Sequence, residues 1–183
     1  MITYTSLKEL ITPFHLAQDS QSNQFTSPPL PPPSGESREK LYLDFVGKIQ
    51  EKYMGLLGNL SSVEKISINT FIQNILEISK RGSILIGYLG IPGSSDFEIV
   101  STGTLFLEVK LSHGGRPVGH IEDIIVHPNY RGKNLSYFIV NKLISIATVK
   151  QCYKVILQCK PELCGIYERN GFIQSGVEMV CRF

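Results

Sequence analysis

His120-Ile-Glu-Asp-Ile-Ile-Val126-His-Pro-Asn-Tyr130-Arg-Gly-Lys-Asn-Leu-Ser136 is the stretch that decides how this chain is read. An apolar strand carries two adjacent carboxylates, Glu122 and Asp123, and ends at a His-Pro turn. A basic loop containing Gly132 then opens directly into an amphipathic segment. A loop feeding a helix N-terminus presents backbone N–H groups without intrahelical partners and the positive end of a dipole, which suits a phosphate or pyrophosphate. Carboxylates just upstream suit a substrate that is cationic or that loses a proton. Together they point to an enzyme joining a phosphate-bearing cofactor to an amine.

Downstream of the loop, Leu135, Phe138, Ile139, Leu143, Ile146 and Ala147 fall on one helical stripe. Residues 155–157 read as a buried strand, 164–169 as a short helix, and 176–183 as a final strand. Upstream, strands are expected at 84–89 and 99–109, separated by a Gly-Ser-Ser-Asp turn, before the carboxylate strand at 118–126. Further back, Phe45, Ile49, Tyr53, Leu56 and Leu57 recur at helical spacing, and Leu41 and Leu43 fit a short strand. Ile68, Phe71, Ile72, Ile75, Leu76 and Ser79 make a second helical face that stops at Arg81-Gly82. Periodicity alone gives a single domain of α/β or α+β class.

The expected domain begins near Arg38. Residues 17–37 are polar and then proline-rich, an extended run that reads as a linker rather than as a ligand for a proline-recognising module. Residues 7–16 are apolar enough to pack back onto the domain. At 183 residues the chain has room for one sizeable core. A net charge of +2 offers no argument for general nucleic-acid or membrane binding, and no apolar run approaches the roughly 20 residues that span a bilayer. The N-terminus lacks the layout of a secretion signal, so the cytoplasm is the expected compartment. Cys152, Cys159, Cys164 and Cys181 show no zinc-type spacing and read as free, reduced thiols.

Arg131-Gly-Lys-Asn-Leu-Ser136 resembles the acetyl-CoA loop of the GNAT superfamily of N-acetyltransferases, Q/R-x-x-G-x-G/A. The wider run is similar to its glucosamine-6-phosphate N-acetyltransferase branch. Matching pieces are Gly119-His-Ile-Glu-Asp-Ile-Ile-Val126, Tyr130-Arg-Gly-Lys133, Cys152-Tyr-Lys-Val-Ile-Leu157, Gly165-Ile-Tyr-Glu-Arg-Asn-Gly-Phe172 and Gly176-Val-Glu-Met179, with Arg182 near the end. They fall in order over residues 110–183. Residues 41–109 match more loosely, and residues 1–37 do not match usefully.

The resemblance implies a GNAT acyl-CoA N-acyltransferase fold, a mixed central sheet flanked by helices, over residues 38–183, with residues 1–37 as an N-terminal extension. It implies acetyl transfer from acetyl-CoA to D-glucosamine 6-phosphate, a step toward UDP-N-acetylglucosamine, in a homodimer and without a metal. Backbone groups of Arg131, Gly132, Lys133, Asn134, Leu135 and Ser136 would cradle the pyrophosphate, and the backbone at Ile124 and Val126 the pantetheine arm. Glu122, directly or through water, is the candidate acceptor of the amine proton. Tyr167 is the candidate donor to the departing thiolate. Lys110, His113, Tyr153, Lys154 and Arg182 are the candidates for the sugar phosphate, in part across a dimer interface. Glu122, Asp123 and, more loosely, Ser61 are placed beside the sugar, while His120 stays peripheral.

Strand alternation sends Glu122 and Asp123 to opposite faces, so a cooperating acid pair is not expected. The chain departs from the family pattern at three points. Asn134 stands where the pattern has Gly, a position that Asn tolerates in left-handed backbone. Ser136 replaces Gly or Ala, and Leu163 stands where Asn is usual. A GNAT enzyme for another amine, a protein lysine or a polyamine, would keep the same loop, as would a non-catalytic acyl-CoA-binding module. Neither explains the basic set, and the second does not explain Tyr167.

Overall fold

The computed structural model describes residues 1–12 and 35–181, with side chains from residue 39 in the second segment. Most of the proline-rich run, residues 13–16 and Arg182 lie outside the described residues. Five strands form one sheet in the order β1 (Thr3–Ser6), β2 (Gly82–Leu89), β3 (Glu98–Glu108), β4 (Val118–Val126) and β5 (Lys154–Leu157). Neighbours are antiparallel as far as β4, whereas β4 and β5 run parallel. A parallel pair needs a crossover, and α4 (Leu135–Val149) supplies it. The remaining helices are α1 (Leu7–Ile11), α2 (Gly35–Leu57), α3 (Ile68–Lys80) and α5 (Cys164–Glu168).

Alternation along β2 sends Ile84 and Ile86 to one face and Leu85 to the other. The first face is closed by α1, α2 and α3 through Leu7, Ile11, Val46, Ile49, Tyr53 and Phe71. The second is closed by α4, whose Ile139, Val140, Leu143 and Ala147 pack on Leu105 and Ile121. Cover on both faces is why residues 99–105 of β3 are buried without a break, Ser101, Thr102 and Thr104 among them. Ser67 caps α3, its side chain accepting from the Thr70 N–H at 3.0 Å.

Three expectations are corrected. Leu41 and Leu43 lie in α2, not in a strand. Tyr42, Phe45, Val46, Ile49, Tyr53 and Leu56 recur every three or four residues, and that stripe outweighs two alternating leucines, of which Leu41 faces solvent. Residues 7–11 pack onto the domain as their apolar character led one to expect, but residues 3–6, grouped by sequence with the extension, add a strand to its sheet. β1 pairs with β2 from Thr3↔Tyr88 to Ser6↔Leu85, and Leu7 and Ile11 are fully buried. Each such side chain contributes roughly 1.5–3 kcal/mol by leaving water. The final strand does not form over the described part of 176–183. A strand requires an edge to pair with, and Val177 and Met179 are each 93% exposed.

Candidate active site

β4 and β5 pair only from Val118↔Lys154 to Ile121↔Leu157. From Glu122 to Val126, β4 continues along β3 alone, so its other edge opens into a gap. The β4–α4 loop lies past the end of β4, and α5 follows β5 on the other side of the gap.

The carboxylates sit on a bulge at the start of this open stretch. Thr102 pairs with Ile125 and Thr104 with Glu122, so one extra residue of β4 must be absorbed between them. Asp123 absorbs it with a left-handed backbone, φ 53°. Gly103 makes room on β3, because a Cβ there would lie 2.4 Å from Ile124 Cδ1 and 2.9 Å from Leu143 Cδ1. The bulge overturns the expectation that Glu122 and Asp123 are segregated by regular alternation. Partial burial raises the Glu122 carboxyl above its ordinary range, and the neighbouring Asp123 raises it further. Asp123 is raised by burial. It in turn acts on the buried phenol of Tyr53, which burial pushes up to about 12 against the lowering effect of the nearby Thr102 and Thr104 hydroxyls. A non-glycine residue in this backbone region carries strain, and strain of this kind concentrates at functional sites.

The loop after β4 is held from its N-terminal side. Pro128–Tyr130 form a 3-10 turn, within which the Asn129 N–H donates to His127 Nδ1 at 3.3 Å. The Tyr130 hydroxyl donates to Glu98 Oε2 at 2.6 Å, and Lys133 Nζ lies 4.8 Å from the Tyr130 ring centroid. Arg131 Nε donates to the Val126 carbonyl at 3.4 Å. Gly132 and Asn134 both take left-handed backbone, φ 76° and 57°, as expected of an Asn standing in for Gly. A Cβ at Gly132 meets nothing within 4 Å, so the backbone angle, not space, calls for glycine there. The first α4 bond runs from the Phe138 N–H to the Asn134 carbonyl at 3.1 Å, which leaves the N–H groups of Leu135, Ser136 and Tyr137 ahead of the ladder. Three N–H donors, a left-handed turn and the Lys133 cation fit a pyrophosphate.

At the opposite end of β4, residues far apart in sequence come together. The His113 ring stacks on Tyr153 with centroids 4.0 Å apart and planes at 22°, and Lys154 Nζ lies 5.7 Å from the Tyr153 centroid. Lys110 pairs with Glu108, which also takes a 3.0 Å hydrogen bond from His120 Nε2. These contacts join the segment after β3 to the start of β5. Tyr167 lies on α5, half-buried, with its ring 6.3 Å from Phe172 in an edge-on arrangement. Burial raises its phenol above the ordinary range, and Cys159 adds to the shift, so the hydroxyl stays protonated at neutral pH.

Of the expected residues, the structure groups Lys110, His113, Tyr153 and Lys154 in one region, Glu122 and Asp123 on the bulge, and Arg131–Ser136 in the loop. Ile124 and Val126 line the open edge of β4. Ser61 is apart, exposed in the loop after α2, where it lines a groove of about 640 Å³ with Gln50, Met54 and Ile66. Among the described residues no hydrogen bond, ion pair or ring contact ties its side chain to the other candidates. Sequence reasoning missed Glu108, Glu98 and the brace through Tyr130. Glu108 was legible, since residues 108 and 110 are opposite charges two apart at a strand end. Tyr130–Glu98 spans 32 positions and left no such signal. Leu163, where Asn was expected, ends a 3-10 turn just before α5. Among the described residues no cluster of three or more His, Cys, Asp or Glu could hold a metal ion.

A family model described as the Acetyltransferase (GNAT) family matches residues 72–172. Glucosamine 6-phosphate N-acetyltransferase of Candida albicans is 42% identical over 151 residues, covering 82% of this chain and 98% of that protein. Probable glucosamine 6-phosphate N-acetyltransferase 2 of Oryza sativa subsp. japonica is 35% identical, over 73% of this chain and 81% of its own. Among solved structures, glucosamine-6-phosphate N-acetyltransferase from Arabidopsis thaliana superposes with a TM-score of 0.68 at 28% identity, covering 75% of this chain and 93% of that one.

Proposed function

The chain belongs to the acetyltransferase (GNAT) family, and from that premise we propose that it acetylates the amine of D-glucosamine 6-phosphate, giving N-acetyl-D-glucosamine 6-phosphate and CoA. The observation that carries the reading is the grouping of Lys110, His113, Tyr153 and Lys154 beside the carboxylate strand. Cationic and hydrogen-bonding groups at that end suit a phosphate, and carboxylates beginning four residues along β4 from Val118, the partner of Lys154, suit an amine.

Acetyl-CoA supplies the activated acetyl thioester. Arg131–Ser136 hold its pyrophosphate through backbone N–H groups and Lys133, and the open edge of β4 at Ile124 and Val126 receives the arm. Lys110, His113, Tyr153, Lys154 and Arg182 bind the sugar phosphate, with Asp123 beside the sugar. Glu122 accepts the amine proton, directly or through water, and its raised pKa brings it closer to that of the group it deprotonates. Tyr167, kept neutral by burial, donates its proton to the sulfur as the carbon–sulfur bond breaks. No covalent acyl-enzyme is involved; a direct attack in a ternary complex orients both substrates.

We further propose a homodimer. Ile173, Val177, Met179 and Val180 are exposed on the segment after α5, and a second copy would cover them. No helix among the described residues is long and apolar enough to cross a membrane; the cytoplasm is the proposed compartment. The direct test is CoA-thiol release from acetyl-CoA with glucosamine 6-phosphate, unphosphorylated glucosamine or a lysine peptide as acceptor. Fast release with the phosphosugar alone supports the reading. Release with the peptide alone moves the substrate to a protein lysine.

A further inference from the structure

Cys159 Sγ and Cys164 Sγ lie 3.9 Å apart, between the end of β5 and the first residue of α5. The intervening Lys160-Pro-Glu-Leu163 folds through a 3-10 turn (Pro161–Leu163), which returns the chain so that the two sulfurs face one another. Cys159 is exposed and Cys164 half-buried, so a small reagent reaches at least one of them. A disulfide requires roughly 2.0 Å between sulfurs, so closing the pair calls for side-chain rotation and a shift of the turn. A link across only four intervening residues also gives the second thiol a high local concentration toward the first. The roles proposed above for acetyl transfer use neither thiol.

The position of the pair gives it a consequence. Tyr167 follows Cys164 by three residues, one turn along α5, and therefore shares its side of the helix. α5 has five residues, so a restraint on its first residue reaches the phenol within a single turn. Displacement of a reacting group by about 1 Å can cost on the order of a hundredfold in rate.

We propose that Cys159 and Cys164 form a dithiol site that reacts with low-molecular-weight disulfides and that, once closed, restrains α5 and slows turnover. In the first step the Cys159 thiolate attacks a sulfur of the small disulfide, forming a mixed disulfide and releasing one small thiolate. In the second the Cys164 thiolate attacks the Cys159 sulfur, forming the internal bond and releasing the other small thiolate. Two electrons pass from the protein to the small disulfide, and the two protons lost by the cysteines end on the two small thiols or in solvent. The effect on turnover rests on the role proposed for Tyr167; the sulfur chemistry does not.

The test incubates the full chain with oxidised glutathione, blocks remaining thiols with iodoacetamide, and digests with trypsin. Trypsin does not cut the Lys160-Pro161 bond, so both cysteines stay in one peptide, residues 155–169. The expected product is that peptide two hydrogens lighter and without alkyl groups. CoA release should fall several-fold and recover with dithiothreitol, while Cys159→Ser and Cys164→Ser keep their full rate in oxidant. A peptide carrying two alkyl groups, or two glutathione adducts, overturns the dithiol site. An internal disulfide with unchanged turnover overturns the restraint on α5. If the untreated chain releases no CoA with any acceptor, the proposed function fails, yet the peptide mass still decides the sulfur chemistry.

Discussion

The two edges of β4 differ sharply. Along β3 it is paired from Val118 to Val126, with side chains on both faces locked into cores. Along β5 it is paired over four residues and then stands free. The paired edge supplies rigidity and the free edge supplies access, so one strand carries both without a mobile element between them. The bulge at Asp123 joins the two, a distortion of the paired edge that carries both carboxylates where the free edge begins. A site built this way can be sensitive at its open edge to changes that leave stability untouched, and the reverse.

Variants can break or sharpen that contrast. Leu7→Ala, in the core behind the paired edge, should cost roughly 2–5 kcal/mol of stability by deleting a fully buried side chain. Urea unfolding measures it, and a cost near zero would return residues 3–11 to a dispensable extension. Tyr167→Phe, across the gap, should lower kcat by about a hundredfold with little change in stability or in acetyl-CoA affinity. Loss of acetyl-CoA binding instead would make Tyr167 a binding residue only.

Glu122→Gln should lower kcat by roughly tenfold, with water replacing part of the base. The acid limb of the wild-type kcat/KM profile should lie above the ordinary glutamate value of 4.5, because burial and Asp123 hold the proton on, and the variant should lose that limb. The same shift has an opposite consequence for stability. A carboxyl whose folded pKa exceeds its unfolded one costs stability at pH values above both, and that cost fades as pH falls through the folded value to the unfolded one. Glu122→Gln should therefore be slightly more stable than wild type at neutral pH, with the difference closing in acid. Equal or lower stability at neutral pH would contradict the account of Glu122. Smallest of all, Tyr130→Phe removes the hydrogen bond to Glu98, a net contribution of about 0.5–1.5 kcal/mol. It should raise KM for acetyl-CoA a few-fold at unchanged kcat, and an altered kcat would place the brace in the reaction itself.

What was legible in the sequence follows the same division. Elements of the paired region announced themselves through periodicity. The stripe from Ile68 to Ser79 and the bounds of β4 needed only local spacing. The loop could be read because Gly132 and Asn134 carry a backbone requirement that few residues satisfy. The bulge was not read, since it arises from register between Thr102–Thr104 and Glu122–Ile125 and depends on the partner strand. Leu41 and Leu43 misled because two alternating residues fit a strand until the longer stripe through Tyr42 and Val46 is counted. The described part of 176–183 has strand-like composition but pairs with no strand among the described residues, and pairing is not a property of a segment alone. The phosphate set was grouped through the family resemblance. The stacking of His113 on Tyr153 required the fold.

The central claim is that the end of β4 beside β5 selects a phosphorylated amino sugar. The most direct test is the ratio of kcat/KM for glucosamine 6-phosphate over glucosamine, in the wild type and in Lys154→Ala. A large wild-type ratio that falls about tenfold or more in the variant, with KM for acetyl-CoA unchanged, is the predicted result. The same ratio in both proteins would contradict it.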